Sequence, residues 1–311
     1  MFKYCLFVFL ILPLFSVAQI PKPSAGSVRH YPQFKSNFVA ARDVDVWLPH
    51  DYSSTKKYAV LYMNDGRDMF DTSHTDRQEW RLDETLTLLK NESKIRDVIV
   101  VAIYSNGKLR QSEYFPQGPF ELLPKKQQDS IYTVNAPFSK SLFFPAKIQS
   151  AAYLKFIVEE LKPFIDKSFS VYKNAQNTFI GGASMGALLS MYAICEYPKV
   201  FGGAACLSPH WPGIMPNKST FFPDVMLAYL DKKAPSGKTH SIYFDHGDKT
   251  YDYYYEQTQI RVDSLFSAKG YSSKNYLSLR FTNADHSTKS WAARVDKPLL
   301  FLLKSKDEAE K

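Results

Sequence analysis

The stretch TFIGGASMGALLSMYAICEYP, residues 178–198, holds a serine between two glycines, directly after one apolar run and directly before another. Residues 182–186 fit the pattern G-x-S-x-G, in which a sharp strand-to-helix turn presents the serine hydroxyl above the edge of a sheet. Small neighbours suit such a turn, because it brings the backbones of the strand and the helix close together. The alternative is an ordinary tight turn in which Ser184 caps the helix. The rest of the chain has to decide between the two.

The first residues have the pattern of a secretory signal peptide. Lys3 precedes an apolar run over residues 5–15, and small residues at positions 16 and 18 form a small-x-small cleavage site after Ala18. The run is too short to span a membrane, and no other segment of the sequence is long and apolar enough to do so. The sequence therefore predicts a secreted or periplasmic protein with residues 19–311 as one domain, and it gives no indication of an oligomeric state.

Charge and cysteine content limit the possible partners. The formal net charge is +8 at pH 7, but the lysines are scattered rather than clustered, so nucleic-acid binding is not favoured. Cys195 and Cys206 lie in apolar surroundings and are expected to be buried free thiols. The sequence has no spaced set of metal ligands and no glycine-rich phosphate loop. It therefore predicts neither a metal nor a cofactor.

Apolar runs typical of strands alternate with segments of helical periodicity along the chain. This alternation predicts a mostly parallel sheet with helices on both faces. Ligands of such sheets bind beyond the carboxyl ends of the strands, where Ser184 is expected. The agreement favours the catalytic interpretation of the serine. A strand is expected to lead into Ser184 and a helix to follow it. Further strands are expected at about 28–48, 58–63, 98–104, 203–207, 241–244 and 276–281, and further helices at about 79–91, 147–167, 223–231, 253–269 and 287–303.

Residues 105–147 differ from the rest of the chain, because they are rich in proline, phenylalanine and tyrosine. A segment of this length with little regular structure is usually a functional loop. Its phenylalanines would be costly to expose unless they covered something. The segment is therefore predicted to be a lid or a substrate-binding insertion, with a plain surface excursion as the alternative.

A serine nucleophile needs a base to take its proton and an acid to orient the base. After a G-x-S-x-G turn the expected chain order is serine, acid, histidine. His286 follows the last predicted strand, which places it on the same edge of the sheet as Ser184. His240 precedes its strand and belongs at the opposite edge, whereas His246 stands where the acid is expected.

The acid should follow the strand near residue 244, where three aspartates compete. Asp245 lies within or at the end of the strand, Asp248 lies in the turn, and Asp252 heads the next helix, where it could simply be a cap. Physical reasoning leaves Asp248 and Asp252 open. Asp285 is poorly placed to orient its own neighbour and is interpreted as a helix cap.

Six stretches in order along the chain resemble the esterase family of α/β-hydrolases that contains the enterochelin esterases, esterase D, and the feruloyl and acetylxylan esterases of carbohydrate esterase family one. The resemblance implies an α/β-hydrolase fold, with an aromatic loop insertion, and a Ser-His-Asp esterase. It places the acid five residues after Gly247, at Asp252, and leaves Asp248 in reserve. The stretches are VDVWLPHDY, YAVLYMNDGRDMFD, YLKFIVEELKPFID, FIGGASMGALLSMYAICEYPKVFGGAACLSPHWPG, IYFDHGD and DHSTKSWAARVDKPLLFLL.

The resemblance also implies an oxyanion hole built from the backbone N–H groups of Met185 and Arg67. The family's usual M-H-D-G-Q is MNDGR at residues 63–67 here, and Ala187 stands where glycine is frequent. Backbone donors survive such side-chain changes.

Two further stretches match the family near the expected site. His210 and Trp211 resemble an S-T-H-W stretch and are candidates to line the substrate cleft, with loop packing as the alternative. Arg110, Glu113 and Tyr114 match another pattern and are interpreted as an ion-pair brace rather than as substrate ligands.

The sequence therefore predicts a secreted serine esterase, with Ser184, Asp252 and His286 as its triad. Export and the aromatic insertion favour an acylated carbohydrate as substrate, and a siderophore ester is the alternative. An inactive carbohydrate-binding relative or an acyltransferase represents a different class of function.

Overall fold

The computed structural model describes residues 21–70, 78–137, 139–214 and 221–305; the expected signal peptide, residues 1–18, lies outside these ranges. In the described residues, eight strands form one sheet in the order β1-β2-β4-β3-β5-β6-β7-β8. β2 is antiparallel to both of its neighbours, and all other pairs are parallel. The strands are β1 (Ser27–Phe34), β2 (Arg42–Leu48), β3 (Ala59–Asn64), β4 (Val98–Ile103), β5 (Thr178–Ala183), β6 (Gly203–Leu207), β7 (Ser241–His246) and β8 (Tyr276–Arg280).

Helices cover the sheet and connect its parallel strands. A π-helical stretch, Phe156–Leu161, joins α5 to α6. Short 3-10 turns lie at Gly66–Asp68, Gly107–Leu109, Ala175–Asn177 and Thr250–Tyr254. The helices are α1 (Leu82–Asn91), α2 (Arg110–Tyr114), α3 (Gln117–Glu121), α4 (Lys125–Ile131), α5 (Ser150–Lys155), α6 (Lys162–Ser168), α7 (Met185–Glu196), α8 (Phe222–Lys233), α9 (Glu256–Ala268), α10 (Thr288–Ala292) and α11 (Asp296–Leu302).

The central strands are buried on both faces, which explains their continuous apolar sequences. Every residue of β4 is buried. Ile99 and Val101 join one apolar core with α5 to α9, whereas Val98 and Val100 join a second core with α1 and α11. Since successive side chains of a strand point to opposite faces, the two cores lie on the two sides of the sheet. The predicted mostly parallel sheet with helices on both faces is confirmed.

The expectation of little regular structure over residues 105–147 was wrong. This segment contains α2, α3 and α4, and Phe115, Phe120, Phe143 and Phe144 pack into the core rather than onto the surface. The ring of Phe115 is fully buried, with its centroid 4.4 Å from that of Phe222 and 5.1 Å from that of Phe144. The aromatic residues thus cover α7 and α8. Removal of the middle of this segment would uncover the core.

The predicted helix over 287–303 is divided into α10 and α11. Pro298 has no N–H group, so it cannot donate to the carbonyl of Arg294 as a continuous helix would require. The N–H of Lys297 donates to that carbonyl instead, at 3.0 Å. The break turns Arg294 inward, where only 2% of it is exposed.

None of the helices within the described ranges is long and apolar enough to cross a membrane. Cys195 and Cys206 are both buried and carry free thiols.

Candidate active site

The turn between β5 and α7 has the strained geometry that its sequence predicts. Ser184 adopts φ 58° and ψ −121°, a conformation that side-chain-bearing residues rarely adopt. Its N–H donates to the carbonyl of Leu207 at 3.0 Å, and its own carbonyl accepts from the N–H of His210 at 3.2 Å. These bonds to the end of β6 and the loop beyond it hold the backbone in place and leave the hydroxyl at the carboxyl edge of the sheet.

Neighbouring atoms lie close to both glycines of the G-x-S-x-G pattern. A Cβ atom on Gly182 would lie 3.1 Å from the Cβ of Asn64 and 3.1 Å from the carbonyl carbon of Gly186. A Cβ atom on Gly186 would lie 3.3 Å from Asn64 Cβ and from Asp65 Oδ2. The pattern therefore reflects contact between the turn and the end of β3.

Ser184, His286 and Asp252 form one chain of hydrogen bonds. His286 Nε2 lies 2.9 Å from Ser184 Oγ, and His286 Nδ1 lies 2.6 Å from Asp252 Oδ1. Because an ionised carboxylate only accepts, Nδ1 carries a proton and Nε2 presents its lone pair to the serine hydroxyl. The arrangement can move a proton from Ser184 to His286.

Asp248 lies outside this chain. Its Oδ1 accepts from the N–H of Asn283 at 2.9 Å, and its Oδ2 lies 3.4 Å from Arg280 Nη2. The two aspartates that sequence reasoning left open therefore have different contacts, and Asp252 is the one that touches His286.

The carboxyl group of Asp252 is completely buried, yet it is stabilised in its ionised form. Burial by itself raises the pKa of Asp252, but hydrogen bonds from His286, Ser208 and the N–H of Gly247 outweigh it and hold the pKa below its usual value. Oδ2 accepts from the Ser208 hydroxyl and from the Gly247 N–H, each at 2.6 Å. Both carboxylate oxygens are thus occupied by donors.

Aromatic rings surround the imidazole of His286. The ring centroids of Trp291, Tyr251 and Tyr255 lie 5.0, 5.6 and 5.8 Å from its own, all in edge-on geometry. The N–H of His286 also donates to Thr250 Oγ1 at 2.9 Å. Backbone and ring are therefore both fixed, as a proton-transferring group requires.

His210 and Trp211 are buried beside the site. His210 Nε2 lies 2.9 Å from the carbonyl of Ile214, which can only accept, so Nδ1 accepts from the Tyr255 hydroxyl at 2.6 Å. Burial, with His286 nearby, lowers the pKa of His210 to about 3. The indole of Trp211 is fully buried and donates to Gln259 at 3.0 Å. These contacts favour the loop-packing alternative over a place in the substrate cleft.

The expected oxyanion donors lie on adjacent strand ends. Met185 is the first residue of α7, so no preceding turn of that helix accepts its N–H. Arg67 lies in the 3-10 turn that follows β3, and β3 pairs with β5 through Met63 and Gly181. Both backbone groups therefore lie at the carboxyl edge that also holds Ser184.

Asn64, which stands where the family has histidine, connects the end of β3 to the β5–α7 turn that holds Ser184. Its side chain is buried, and Nδ2 donates to the carbonyl of Gly181 and to Ser190 Oγ, each at 3.1 Å. Its Oδ1 accepts from the Tyr153 hydroxyl at 3.1 Å. The change from the family pattern thus supplies a buried amide that crosslinks the turn.

Two ion pairs connect the insertion to residues at the ends of β2 and β3. Arg110 donates two hydrogen bonds to Asp65, from Nε to Oδ1 at 2.6 Å and from Nη2 to Oδ2 at 2.7 Å. Glu113 binds the buried Arg42 at 2.7 and 2.9 Å. Burial lowers the pKa of each arginine, but the acidic partner outweighs it and raises the pKa overall. Arg110 and Glu113 therefore act as a brace, as the sequence indicated.

Sequence reasoning missed the residues behind Asp252. Ser208 follows β6, and its hydroxyl contacts Asp252. Arg294 and Trp291 donate hydrogen bonds to the same hydroxyl. Their one signal in the sequence is position: Ser208 follows a strand end, as Ser184 does. In the described part of the chain, no group of three or more histidine, cysteine or acidic side chains could hold a metal ion.

A sequence model of the family described as "Putative esterase" matches residues 37–302. The chain belongs to this esterase family. Two proteins of Bacillus subtilis (strain 168) are among its relatives. "Uncharacterized protein YjcH" is 28% identical over 188 residues, 60% of this chain and 64% of the relative, and "Uncharacterized protein YbbA" is 23% identical over 168 residues, 54% of this chain and 56% of the relative. Each match thus spans less than two thirds of the relative's length.

Solved structures of esterases share the fold of this family member. A ferulic acid esterase superposes with a TM-score of 0.62 at 17% identity and covers 89% of this chain and 97% of its own. The enterobactin esterase FES from Shigella flexneri gives 0.63 at 14% identity, with 91% of this chain and 60% of its own covered. A ferulic acid esterase from Anaeromyces mucronatus gives 0.56 at 14% identity, with 91% and 92% covered. The α/β-hydrolase fold expected for this esterase-family chain is confirmed.

Proposed function

We propose that this protein is a serine esterase that hydrolyses carboxylic esters through an acyl-enzyme. The observation that carries the proposal is the hydrogen-bonded chain from Ser184 through His286 to Asp252, at 2.9 and 2.6 Å, on a strained turn. A serine held this way is activated as a nucleophile, because the base that accepts its proton is already in contact with it.

The geometry supports a two-step mechanism. Ser184 Oγ attacks the ester carbonyl as His286 Nε2 takes its proton, and Asp252 stabilises the imidazolium that forms. The N–H groups of Met185 and Arg67 stabilise the oxyanion, each by roughly 3 kcal/mol. His286 then protonates the leaving alcohol, and water repeats the sequence to release the acid.

We further propose that the alcohol of the substrate is a carbohydrate. Tyr253 and Tyr254 follow Asp252 directly and are 71% and 52% exposed. Exposed aromatic faces next to a reaction centre suit the apolar faces of sugar rings, as ligand sites combine apolar surface with a few polar groups. An open cavity of about 190 Å³ lies beside them, bordered by Tyr253 and by the charged groups of Asp248, Lys249, Glu256 and Arg280.

The position of this cavity fits an extended substrate. It lies at the carboxyl ends of β7 and β8, which are two and three strands away from β5. This corresponds to about 10–14 Å across the sheet. A short oligosaccharide acylated at one end could therefore reach from Ser184 to the cavity.

One panel of substrates tests the proposal. Purified wild-type protein is offered acetylated and feruloylated oligosaccharides, a cyclic tri-serine lactone, and 4-nitrophenyl acetate, with and without a free oligosaccharide as acceptor. We expect release of acid, with kcat/KM highest on an acylated oligosaccharide. Preference for the lactone would indicate a siderophore esterase, acyl transfer to the free sugar would indicate an acyltransferase, and no turnover would indicate an inactive relative.

Tyr253→Ala is expected to raise KM on an acylated oligosaccharide about fivefold, since an aromatic contact is worth roughly 1 kcal/mol. Turnover of 4-nitrophenyl acetate should stay unchanged, because that ester is too small to reach the cavity. Tyr172→Ala is the matched control: Tyr172 is 46% exposed and follows the Tyr58–Val171 bridge beside the opposite end of the sheet. Equal KM values for wild type and Tyr253→Ala on the oligosaccharide would contradict the sugar contact.

Two further expectations belong to this proposal. We propose that the protein is exported, because residues 1–18 have the pattern of a secretory signal peptide. We also propose that residues 105–147 support the site and do not form a mobile lid. Arg110 of this segment donates two hydrogen bonds to Asp65, which lies two residues before the expected oxyanion donor Arg67.

A further inference from the structure

Ser208 lies between the expected catalytic acid and a buried cation. Its backbone follows β6 with a φ of 43°, and its N–H donates to the carbonyl of Asp245 at 2.8 Å. Its hydroxyl oxygen lies 2.6 Å from Asp252 Oδ2, 2.8 Å from Arg294 Nη2 and 3.1 Å from Trp291 Nε1. The residue itself is completely buried.

These contacts leave one orientation for the Ser208 proton. A hydroxyl group has one proton to donate and two lone pairs to accept with. The N–H groups of Arg294 and Trp291 can only donate, so they occupy both lone pairs. The proton of Ser208 must therefore point to Asp252.

Arg294 is held rigidly in its place. Its Nη2 lies 2.9 Å from Asp245 Oδ1, and the other oxygen of that buried carboxylate accepts from the Tyr243 hydroxyl at 2.8 Å. The guanidinium also lies over the ring of Phe281, 5.0 Å from its centroid. Since the arginine is buried and paired, it cannot leave Ser208 without uncovering the charge of Asp245.

We propose that Ser208, oriented by Arg294 and Trp291, is a positioning residue that fixes the carboxylate of Asp252 so that its Oδ1 faces His286. This inference rests on the proposed function, because it concerns the same triad. The ionised carboxylate would otherwise be held by the Gly247 N–H at Oδ2 and by His286 at Oδ1. The hydroxyl of Ser208 adds the second bond at Oδ2 and stops the carboxylate from rotating.

The groups that face Asp252 determine how the loss of this bond shows. His286 contacts the carboxylate directly, and the Arg294 guanidinium lies 3.9 Å from its Oδ2. Tyr255, which precedes α9, and His210, which is hydrogen-bonded to Tyr255, are also close enough to interact with its charge. Without the Ser208 proton, the negative charge of Asp252 is less compensated. The His286–Asp252 pair then holds its shared proton more tightly. The acid limb of the kcat/KM profile should therefore move to higher pH.

Ser208→Ala tests the inference, and its effect on folding should be small because the Arg294–Asp245 pair stays in place. We expect kcat to fall about tenfold, KM to change less than about twofold, and the acid limb to rise by about half a pH unit. Trp291→Phe removes one of the two donors that orient the hydroxyl, so it should produce a smaller change in the same direction. Active sites are counted by fluorophosphonate labelling, so that misfolded protein is not scored.

Thr178→Val is the control for the loss of a buried hydroxyl. Thr178 is buried at the opposite end of β5 and donates only to the carbonyl of Asn174, at 3.0 Å. It should leave both kcat and the acid limb unchanged. A Ser208→Ala enzyme with the kcat and acid limb of wild type would overturn the inference, as would a fall in kcat with no movement of the limb. Failure of the esterase proposal is separate, because wild-type protein would then have no activity to compare.

Discussion

Ser184→Ala should abolish the hydrolysis of every ester that the wild-type protein cleaves. Removal of a triad serine leaves the contributions of oxyanion hole and binding alone, so we expect kcat to fall by a factor on the order of 10⁶. Alanine meets the same strain at φ 58° as serine does. The thermal midpoint should therefore change by less than about 2 °C. Initial rates on 4-nitrophenyl acetate and a thermal melt measure both.

Thr178→Val serves again as the control, since it removes a buried hydroxyl from the first residue of β5, the strand that leads to Ser184. It should keep wild-type rates. A Ser184→Ala protein that kept more than a tenth of the wild-type rate would show that this serine is not the nucleophile.

Asp252→Asn should cut kcat by about 10⁴, whereas Asp248→Asn should cost no more than a few-fold. The asparagine amide cannot hold a proton on His286 Nδ1 by charge, and it can itself donate to that nitrogen, which favours the wrong tautomer. Asp248 instead contacts the N–H of Asn283 and the side chain of Arg280, away from the imidazole. The two variants change the same chemical group, so each is the control for the other.

The pair of variants also separates the two acids that sequence alone left open. A large loss in Asp248→Asn together with near-normal rates in Asp252→Asn would reverse the assignment. Equal losses in both would point to damage to the loop rather than to a specific role. Thermal melts of both variants distinguish that case.

The sequence predicted the position of Ser184 because the steric demand of the turn is recorded within two residues of it. Gly182 and Gly186 are small because Asn64 and Asp65 of the neighbouring strand end lie against them. His286 could be placed by the rule that ligands and reactive groups gather at the carboxyl ends of parallel strands. Both expectations depend on local pattern and topology, which a single sequence carries.

The choice of acid could not be made from the residues by physical reasoning. Asp245 lies in β7 itself, Asp248 and Asp252 follow it, and the 3-10 turn at Thr250–Tyr254 places Asp252 against the histidine. Ser208 and Arg294 were missed for a related reason. Their contacts join the end of β6 to the break between two helices, and no sequence period links such positions.

Residues 105–147 show a different limit of prediction from sequence. Their aromatic composition indicated that they cover something, which is correct. Composition does not tell whether the covered surface is a substrate pocket or the protein's own core. Phe115 and Phe144 are fully buried against each other, and Phe115 also packs against Phe222 of α8, so these two rings cover the core.

Covalent labelling tests the central claim most directly. Wild-type protein is incubated with a fluorophosphonate probe, digested, and the modified residue is identified by mass spectrometry. We expect one adduct per chain, at Ser184, and strongly slowed labelling in His286→Ala, because the base that activates the hydroxyl is then missing. Stoichiometric labelling of a different residue, or no labelling of Ser184 in protein that hydrolyses esters, would contradict the account.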